Sequence, residues 1–306
     1  MTMGEIVGAA LLAHVPTIVL PEEDRRALNH GAESSLVPGL ARLRREVLDA
    51  LDIDTIVVMD SHWATTVEWV ITAHEHRRGF YTSEELPRGM SSMPYDFAGD
   101  PELAHAVAKH ADTHGTWITP IDNEHLPIHY GTTNLWTHLR GDEAWVSIGV
   151  CQTADMQDAL TLGAAVADGI ADIDRRVFLI ASGALSHTFW PLRELRAHED
   201  SDPSHIFTPE AWAADLARLE WFRRGEHDRV LAGMPDFYRY KPEARFLHYL
   251  MMVGAIGGER CTARGELYSE YENSVGTGQV HVNFVRPDGG WTAPRDTDAF
   301  SFRSWQ

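Results

Sequence analysis

The chain has 306 residues, 44% of them hydrophobic, and its 26 lysines and arginines against 45 aspartates and glutamates give a formal net charge of −19. This hydrophobic content supports a sizeable core and argues against a disordered chain. The negative charge, without any basic cluster, argues against nucleic acid and anionic membrane surfaces as partners. The length allows one large α/β domain or two modest ones.

The N-terminal run IVGAALLA has the apolar character of a signal-peptide core. No lysine or arginine precedes it and Glu5 does, so we do not expect a cleaved signal. No apolar run reaches the roughly 20 residues that span a bilayer. Cys151 and Cys261 allow at most one disulfide, and the apolar run before Cys151 is typical of a buried free thiol. We therefore expect a soluble, cytoplasmic protein.

Short apolar runs rich in valine and isoleucine predict the strands. Several are continuous enough to be buried on both faces of a sheet. These runs cover residues 6–12, 56–59, 67–71, 145–150, 177–181 and 280–284.

Amphipathic segments between these runs predict helices. The segment 40–51 keeps one apolar face. A second helix is predicted to start with Asp100 as its N-cap and Pro101 at its first helical position. Further helices are predicted from about Asp155, after Thr208-Pro209, and from Pro242-Glu243 to a glycine pair.

Strands that alternate with helices predict an α/β fold. We expect a single domain over residues 1–306, with a central, mostly parallel or mixed β-sheet flanked by helices. The polar, turn-rich segment 287–306 is predicted to be a surface tail or an arm onto a neighbouring subunit.

Three predicted strands deliver a histidine at or just after their carboxyl ends. His14 follows the first run, His62 follows TIVVMDS, and His187 follows VFLIASGALS. In open α/β sheets, ligands bind beyond the carboxyl ends of the strands. One such histidine is usually structural, but three at one edge favour a site.

Two imidazoles and a carboxylate, with open positions, form the facial triad of non-haem Fe(II) oxygenases. Among many carboxylates we select Glu243, because it is predicted in the first turn of an apolar helix, where the helix dipole favours an anion. An ordinary helix-start acid remains the alternative interpretation.

The chain resembles the class III extradiol ring-cleaving dioxygenases, the superfamily of protocatechuate 4,5-dioxygenase β-subunits. Within it, the resemblance points to the homoprotocatechuate (3,4-dihydroxyphenylacetate) 2,3-dioxygenases. The motifs that carry it are AHVPTIVL, DTIVVMDSHW, GFYTSEELPRGMSSMPYDFAGDPELA, HYGT, LIASGALSHTFW, KPEARFLHYLMMVGAIGG and SVGTGQVHVNF.

This resemblance implies that His14, His62 and Glu243 bind Fe(II). It implies that His187 is the active-site acid/base, that O2 is the co-substrate of a small aromatic diol, and that the protein is a homo-oligomer. Many superfamily members have Asp-His-Gly-Thr where this chain has His-Tyr-Gly-Thr. Tyr130 is therefore implied as the second hydrogen-bonding group of the site, as in the homoprotocatechuate and 2-aminophenol branches.

Several alternatives stay open. The same donors accept Mn(II), the substrate could be 2-aminophenol or another substituted catechol, and a zinc hydrolase or a non-catalytic binding protein could use the same fold. A substrate carboxylate needs a cationic partner. The sequence does not choose among Arg88, Arg245 and His281.

Other histidines and motifs are interpreted as structural. His74 and His76 are expected at a solvated strand end, and His248 is expected to be structural because five positions separate it from Glu243 on one helix. His129 is given only a supporting role beside Tyr130. GTGQVH lacks the third glycine of a dinucleotide fingerprint and is predicted to be a turn before the last strand.

Overall fold

The computed structural model describes residues 3–294. The strands in this range are β1 (Glu5–Leu12), β2 (Thr55–Thr65), β3 (Trp69–Thr72), β4 (His76–Tyr81), β5 (Met93–Ala98), β6 (Ile118–Ile121), β7 (Ala144–Cys151), β8 (Arg176–Ser182), β9 (Arg264–Leu267), β10 (Glu272–Ser274), β11 (Thr277–Gln279) and β12 (His281–Val285). The α-helices in this range are α1 (Glu22–Leu28), α2 (Leu36–Glu46), α3 (Pro101–Thr113), α4 (Tyr130–Leu139), α5 (Met156–Ala171), α6 (Pro209–Arg224), α7 (His227–Ala232), α8 (Met234–Phe237) and α9 (Leu247–Ala255).

Eight strands form the main sheet, in the order β6-β3-β7-β2-β8-β1-β12-β9. The central strands β7, β2, β8 and β1 run parallel, whereas β12 and β9 are antiparallel to their neighbours. Two hairpins, β4-β5 and β10-β11, lie outside this sheet. The predicted α/β fold with a mixed sheet is confirmed.

The apolar core lies on both faces of the sheet. Along β2, Val57 and Met59 face the layer of α3, α5 and α9, while Ile56 and Val58 face the layer of α2 and α4. Successive side chains of a strand point to opposite faces, so a strand covered on both sides is apolar at every position. This explains why its sequence does not alternate.

The predicted helix starts at Asp100, Asp155 and Thr208 are confirmed. The Asp100 carboxylate accepts a hydrogen bond from Leu103 N, at 3.0 Å. The Thr208 hydroxyl accepts one from Ala211 N, at 3.1 Å, and Asp155 forms a reciprocal capping box. These side chains satisfy amide groups that a helix start leaves unpaired.

Two local predictions are wrong. Strand β2 does not stop at Asp60 but continues to Thr65, with a break in its register against β7 between Asp60 and Ala64. Only Gly276 of GTGQ lies in a turn, together with Val275 and at positive φ, whereas Thr277–Gln279 forms β11. In each case pairing with another strand decided the conformation.

Cys151 and Cys261 are both buried thiols, as predicted for Cys151. The helices found between residues 3 and 294 are all too short or too polar to cross a lipid bilayer. Of the predicted C-terminal tail, residues 295–306 lie outside the described residues.

Candidate metal centre

The predicted site lies at the carboxyl edge of the sheet. Strand β8 lies between β1 and β2 and runs parallel to both, so the three strands end on the same side. His14 follows β1, His62 lies in the irregular part of β2, and β8 leads through Gly183 to His187. Parallel pairing therefore brings together histidines that are far apart in the sequence.

Asp60 shapes the irregular part of β2. One of its carboxylate oxygens accepts hydrogen bonds from the backbone amides of His62 (2.9 Å) and Trp63 (3.2 Å), and the other accepts one from the Thr132 hydroxyl (2.7 Å). A Cβ at Gly131 would lie 2.2 Å from the same carboxylate, so this close approach requires glycine. Asp60 thereby fixes the backbone that carries His62.

Glu243 is held by the segment that follows β8. Its backbone amide donates to Leu185 O at 3.1 Å, and its Oε2 accepts from Ala184 N at 2.6 Å. Its Oε1 accepts from the Ser61 hydroxyl. Ser61, the residue before His62, therefore contacts this carboxylate directly.

The prediction that Glu243 lies in the first turn of an α-helix is wrong. It begins a short turn, Glu243–Phe246, in which the last three residues have φ between 45° and 64°, and helix α9 begins only at Leu247. The hydrogen bonds to the β8 segment outweigh the helical preference of EARF. The dipole argument for this carboxylate therefore does not apply.

His14, His62 and Glu243 converge. One donor atom from each side chain lies within 4.8 Å of the other two. Glu243 Oε1 is 3.3 Å from His14 Nε2 and 3.2 Å from His62 Nε2, and the Glu243 side chain is 7% exposed. Burial alone would raise the pKa of Glu243, but the neighbouring histidines hold it well below its usual range. Two imidazoles and an ionised carboxylate are a donor set that fits a divalent transition metal.

His187 and Tyr130 lie beside these three residues. His187 Nε2 is 3.9 Å from Glu243 Oε2, and burial lowers the pKa of the imidazole. The Tyr130 ring centre is 3.9 Å from that of His62. Burial raises the pKa of the Tyr130 phenol, which is therefore protonated at neutral pH. All five predicted site residues are thus brought to one place.

Sequence reasoning missed Glu85 and Ser182. The Tyr130 hydroxyl donates to Glu85 Oε2 at 3.1 Å, and Glu85 Oε1 is 3.4 Å from His62 Nδ1. Ser182 Oγ lies 2.8 Å from His14 Nδ1. Neither residue carried a sequence signal, because Glu85 is one of two adjacent glutamates in a polar loop and Ser182 ends an ordinary strand.

Most of the other histidines lie away from the donor atoms. His74 precedes β4 and contacts Asn123 O, so it does not share a strand face with His76. His129 stacks on Trp63, with ring centres 6.4 Å apart. His248 lies in α9, where it is fully buried and packs beside Gly183. The reason given for treating it as structural was wrong, because Glu243 and His248 do not lie on one continuous α-helix.

Comparisons with known proteins show the family to which the chain belongs. The family model described as "Catalytic LigB subunit of aromatic ring-opening dioxygenase" matches residues 8–285. A 3,4-dihydroxyphenylacetate 2,3-dioxygenase of Escherichia coli is 27% identical over 263 residues, which is 84% of this chain and 92% of that protein. The 2-aminophenol 1,6-dioxygenase beta subunit of a Pseudomonas species is 26% identical over 249 residues, 78% of this chain and 80% of that protein.

Among solved structures, an uncharacterized protein from Escherichia coli K12 has a TM-score of 0.61 with 17% sequence identity. The match covers 91% of this chain and 99% of that one, and it shows a shared fold. The family model covers most of the chain, including every residue of the site described above. The chain therefore belongs to the LigB family of aromatic ring-opening dioxygenases.

Proposed function

We propose that this dioxygenase cleaves the ring of a catechol beside its two hydroxyl groups, with Fe(II) held by His14, His62 and Glu243. Both atoms of O2 enter the product, a ring-opened semialdehyde. The first substrate to test is 3,4-dihydroxyphenylacetate, because a relative that matches over most of its length is named for it. A single catalytic domain, a cytoplasmic location and a homo-oligomeric state stay predictions.

The observation that carries the proposal is the convergence of three ligand atoms within 4.8 Å, with two further hydrogen-bonding side chains beside them. Three ligands on one face leave positions for a bidentate diol and O2. A non-catalytic binding protein would not need His187 and Tyr130 at the same place.

The residues around the metal have separable roles. When bound, Fe(II) would supply Lewis acidity to the diol and the redox chemistry with O2. His187 is neutral at pH 7 because burial lowers the pKa of its imidazole, so it is ready to take a proton from the diol. The same imidazole returns that proton later in the reaction. Tyr130 remains protonated and orients the substrate by hydrogen bonding.

The substrate carboxylate would be bound by Arg88. Of the three cationic candidates, Arg245 donates to the carbonyls of Gln152 and Ala154, both at 2.6 Å. Burial lowers the pKa of His281 to about 3, so that imidazole is neutral. Arg88 is exposed on the loop between β4 and β5, the same loop that brings Glu85 to the site.

A second candidate substrate is 2-aminophenol, favoured by the similar identity of the 2-aminophenol 1,6-dioxygenase beta subunit. An uncharged substrate of this kind needs no cationic partner. Arg88→Gln separates the two cases: it should raise KM for 3,4-dihydroxyphenylacetate at least tenfold and leave KM for 2-aminophenol or 4-methylcatechol unchanged.

The decisive experiment is anaerobic loading of the purified protein with Fe(II), Mn(II) or Zn(II), followed by exposure to O2 with a panel of catechols and 2-aminophenol. We expect O2 uptake and a yellow semialdehyde from 3,4-dihydroxyphenylacetate with Fe(II). Ester or amide hydrolysis with Zn(II), without O2 uptake under any condition, would replace the proposal by the hydrolase alternative. Glu243→Gln serves as the metal-binding control and should abolish turnover.

A further inference from the structure

Glu85 projects from a loop whose backbone is fixed. The loop joins β4 to β5, and the buried Ser83 closes it: Ser83 N donates to Met90 O at 2.9 Å, and Ser83 Oγ accepts from the amides of Glu85 and Leu86, both at 3.2 Å. Met90 is also fully buried. The Glu85 side chain is 55% exposed, yet its backbone is held in place by the hydrogen bond to Ser83.

The two carboxylate oxygens of Glu85 contact two different site residues. Oε1 lies 3.4 Å from His62 Nδ1, and Oε2 accepts the hydrogen bond from the Tyr130 hydroxyl at 3.1 Å. The His62 and Tyr130 rings are tilted by 36° with centres 3.9 Å apart, so both polar atoms can face the same carboxylate. Water would solvate an exposed glutamate side chain in a loop without either contact.

Each contact has a chemical consequence. A carboxylate next to His62 Nδ1 favours the tautomer with the proton on that atom, which leaves the lone pair on Nε2. Nε2 is the atom that faces Glu243. A Tyr130 hydroxyl that donates to Glu85 presents only its oxygen lone pairs to other partners, so it accepts a hydrogen bond from a substrate hydroxyl rather than donating one.

We propose that Glu85 is a positioning residue that links the metal ligand His62 to the substrate-facing Tyr130 through its two carboxylate oxygens. It orients the imidazole for the metal and sets the direction of the phenolic hydrogen bond. This inference rests on the proposed function only in assigning the cation to His14, His62 and Glu243.

The first test measures metal affinity without turnover. Fe(II) alone is titrated anaerobically, in competition with a chromogenic chelator, into the wild type, Glu85→Ala, Glu85→Gln and the control Glu84→Gln, which changes the exposed neighbouring glutamate. We expect Glu85→Ala to weaken Fe(II) binding 10- to 100-fold, the range for groups that orient a ligand imidazole. Glu85→Gln has one acceptor oxygen instead of two and should be intermediate, while Glu84→Gln should match the wild type.

The second test measures the link to Tyr130. Anaerobic binding of 4-nitrocatechol to the Fe(II)-loaded protein, at saturating metal, is followed by its visible absorbance in Tyr130→Phe, Glu85→Ala and the double variant. If Glu85 acts through the Tyr130 hydroxyl, the affinity of the double variant for 4-nitrocatechol should be no lower than that of the single variant with the lower affinity. If the fold-loss of affinity in the double variant equals the product of the two single losses, the link between Glu85 and Tyr130 is contradicted.

The outcomes are distinguishable. Fe(II) affinity of Glu85→Ala equal to that of Glu84→Gln would overturn the role toward His62, whether or not the protein cleaves catechols. Thermal unfolding of all variants identifies any loss of folding, and Glu85→Gln, which keeps the size of the side chain, tests the proposal if Glu85→Ala is unstable. Normal metal binding by the wild type without ring cleavage would instead contradict the proposed function.

Discussion

His14 Nδ1 lies 2.8 Å from Ser182 Oγ, and the hydroxyl of Ser182 donates its proton to Gly131 O at 2.6 Å. Because that proton is already used, the serine oxygen accepts from His14, which must carry its proton on Nδ1. The His14 Nε2 lone pair is then free to face Glu243. Leu12 pairs with Ser182 in the register of β1 with β8, so the contact is built into the sheet.

Ser182→Ala should therefore weaken Fe(II) binding about 10-fold, the lower end of the range for orienting groups. The variant loses the acceptor that fixes the tautomer of His14 and leaves Gly131 O without this donor. Anaerobic Fe(II) titration measures the effect, and Ser204→Ala, on the surface, is the matched control. Equal affinity in the two variants would mean that the Ser182 hydroxyl does not orient His14.

His187→Phe should keep Fe(II) affinity within about twofold and lower kcat at neutral pH by roughly 10²- to 10⁴-fold, the contribution usual for general acid–base catalysis. The phenyl ring fills the same partly buried space but neither accepts nor returns a proton. Steady-state O2 uptake, with Fe(II) content measured on the same samples, checks both parts. His125→Phe, at an exposed position, is the control. Turnover close to that of the wild type would remove His187 from the proposed mechanism.

Asp215 supports the segment that carries His187. It is fully buried and accepts from Ser186 N (3.0 Å), Ser186 Oγ (2.6 Å) and the Tyr271 hydroxyl (2.6 Å). Ser186 in turn pairs with Pro242, next to Glu243. Asp215→Ala leaves these donors without their acceptor, and we expect a loss of about 3 kcal/mol in the free energy of unfolding.

Urea unfolding at pH 7 measures that loss. Tyr271→Phe removes only one of the three hydrogen bonds, so it is the matched comparison and should cost about 1 kcal/mol. If Asp215→Ala were no less stable than Tyr271→Phe, Asp215 would not hold the segment. Glu210→Ala, at an exposed position in the first turn of the same helix, tests for a general effect of substitution in α6.

His281 should make the stability of the protein depend on pH. It is fully buried, accepts from Ala13 N, contacts Leu36 O, and its pKa is lowered to about 3 by burial. Between that value and the ordinary 6.5, the unfolded chain binds a proton that the folded chain excludes. Stability is therefore full above pH 6.5 and falls as the pH decreases, by up to about 1.4 kcal/mol per pH unit from this residue.

Urea unfolding at pH 7.0, 6.0 and 5.0 checks the slope. His281→Gln removes the titratable group and should be less stable at pH 7.0 but lose less stability than the wild type between pH 7.0 and 5.0. Equal slopes in the two proteins would mean that other groups, such as the buried His248, account for the acid sensitivity.

The sequence determined the layout of the fold because the signals for strands and helix starts are local. The unbroken apolar run of β2 reflects burial on two faces, and caps such as Asp100 and Thr208 bond to amides within a few positions. The same local patterns identified His14, His62 and His187, because each follows an apolar strand and parallel strands end at one edge of the sheet.

Only the tertiary structure decided the surroundings of those residues. The left-handed turn at Glu243 depends on hydrogen bonds to Ala184 and Leu185, and the contacts of Glu85 depend on how a hairpin loop lies over His62 and Tyr130. These bonds join segments far apart in the chain, and their strength depends on burial and distance, which no local pattern encodes. For that reason the sequence indicated the ligand types, while the folded chain alone selected their orientation.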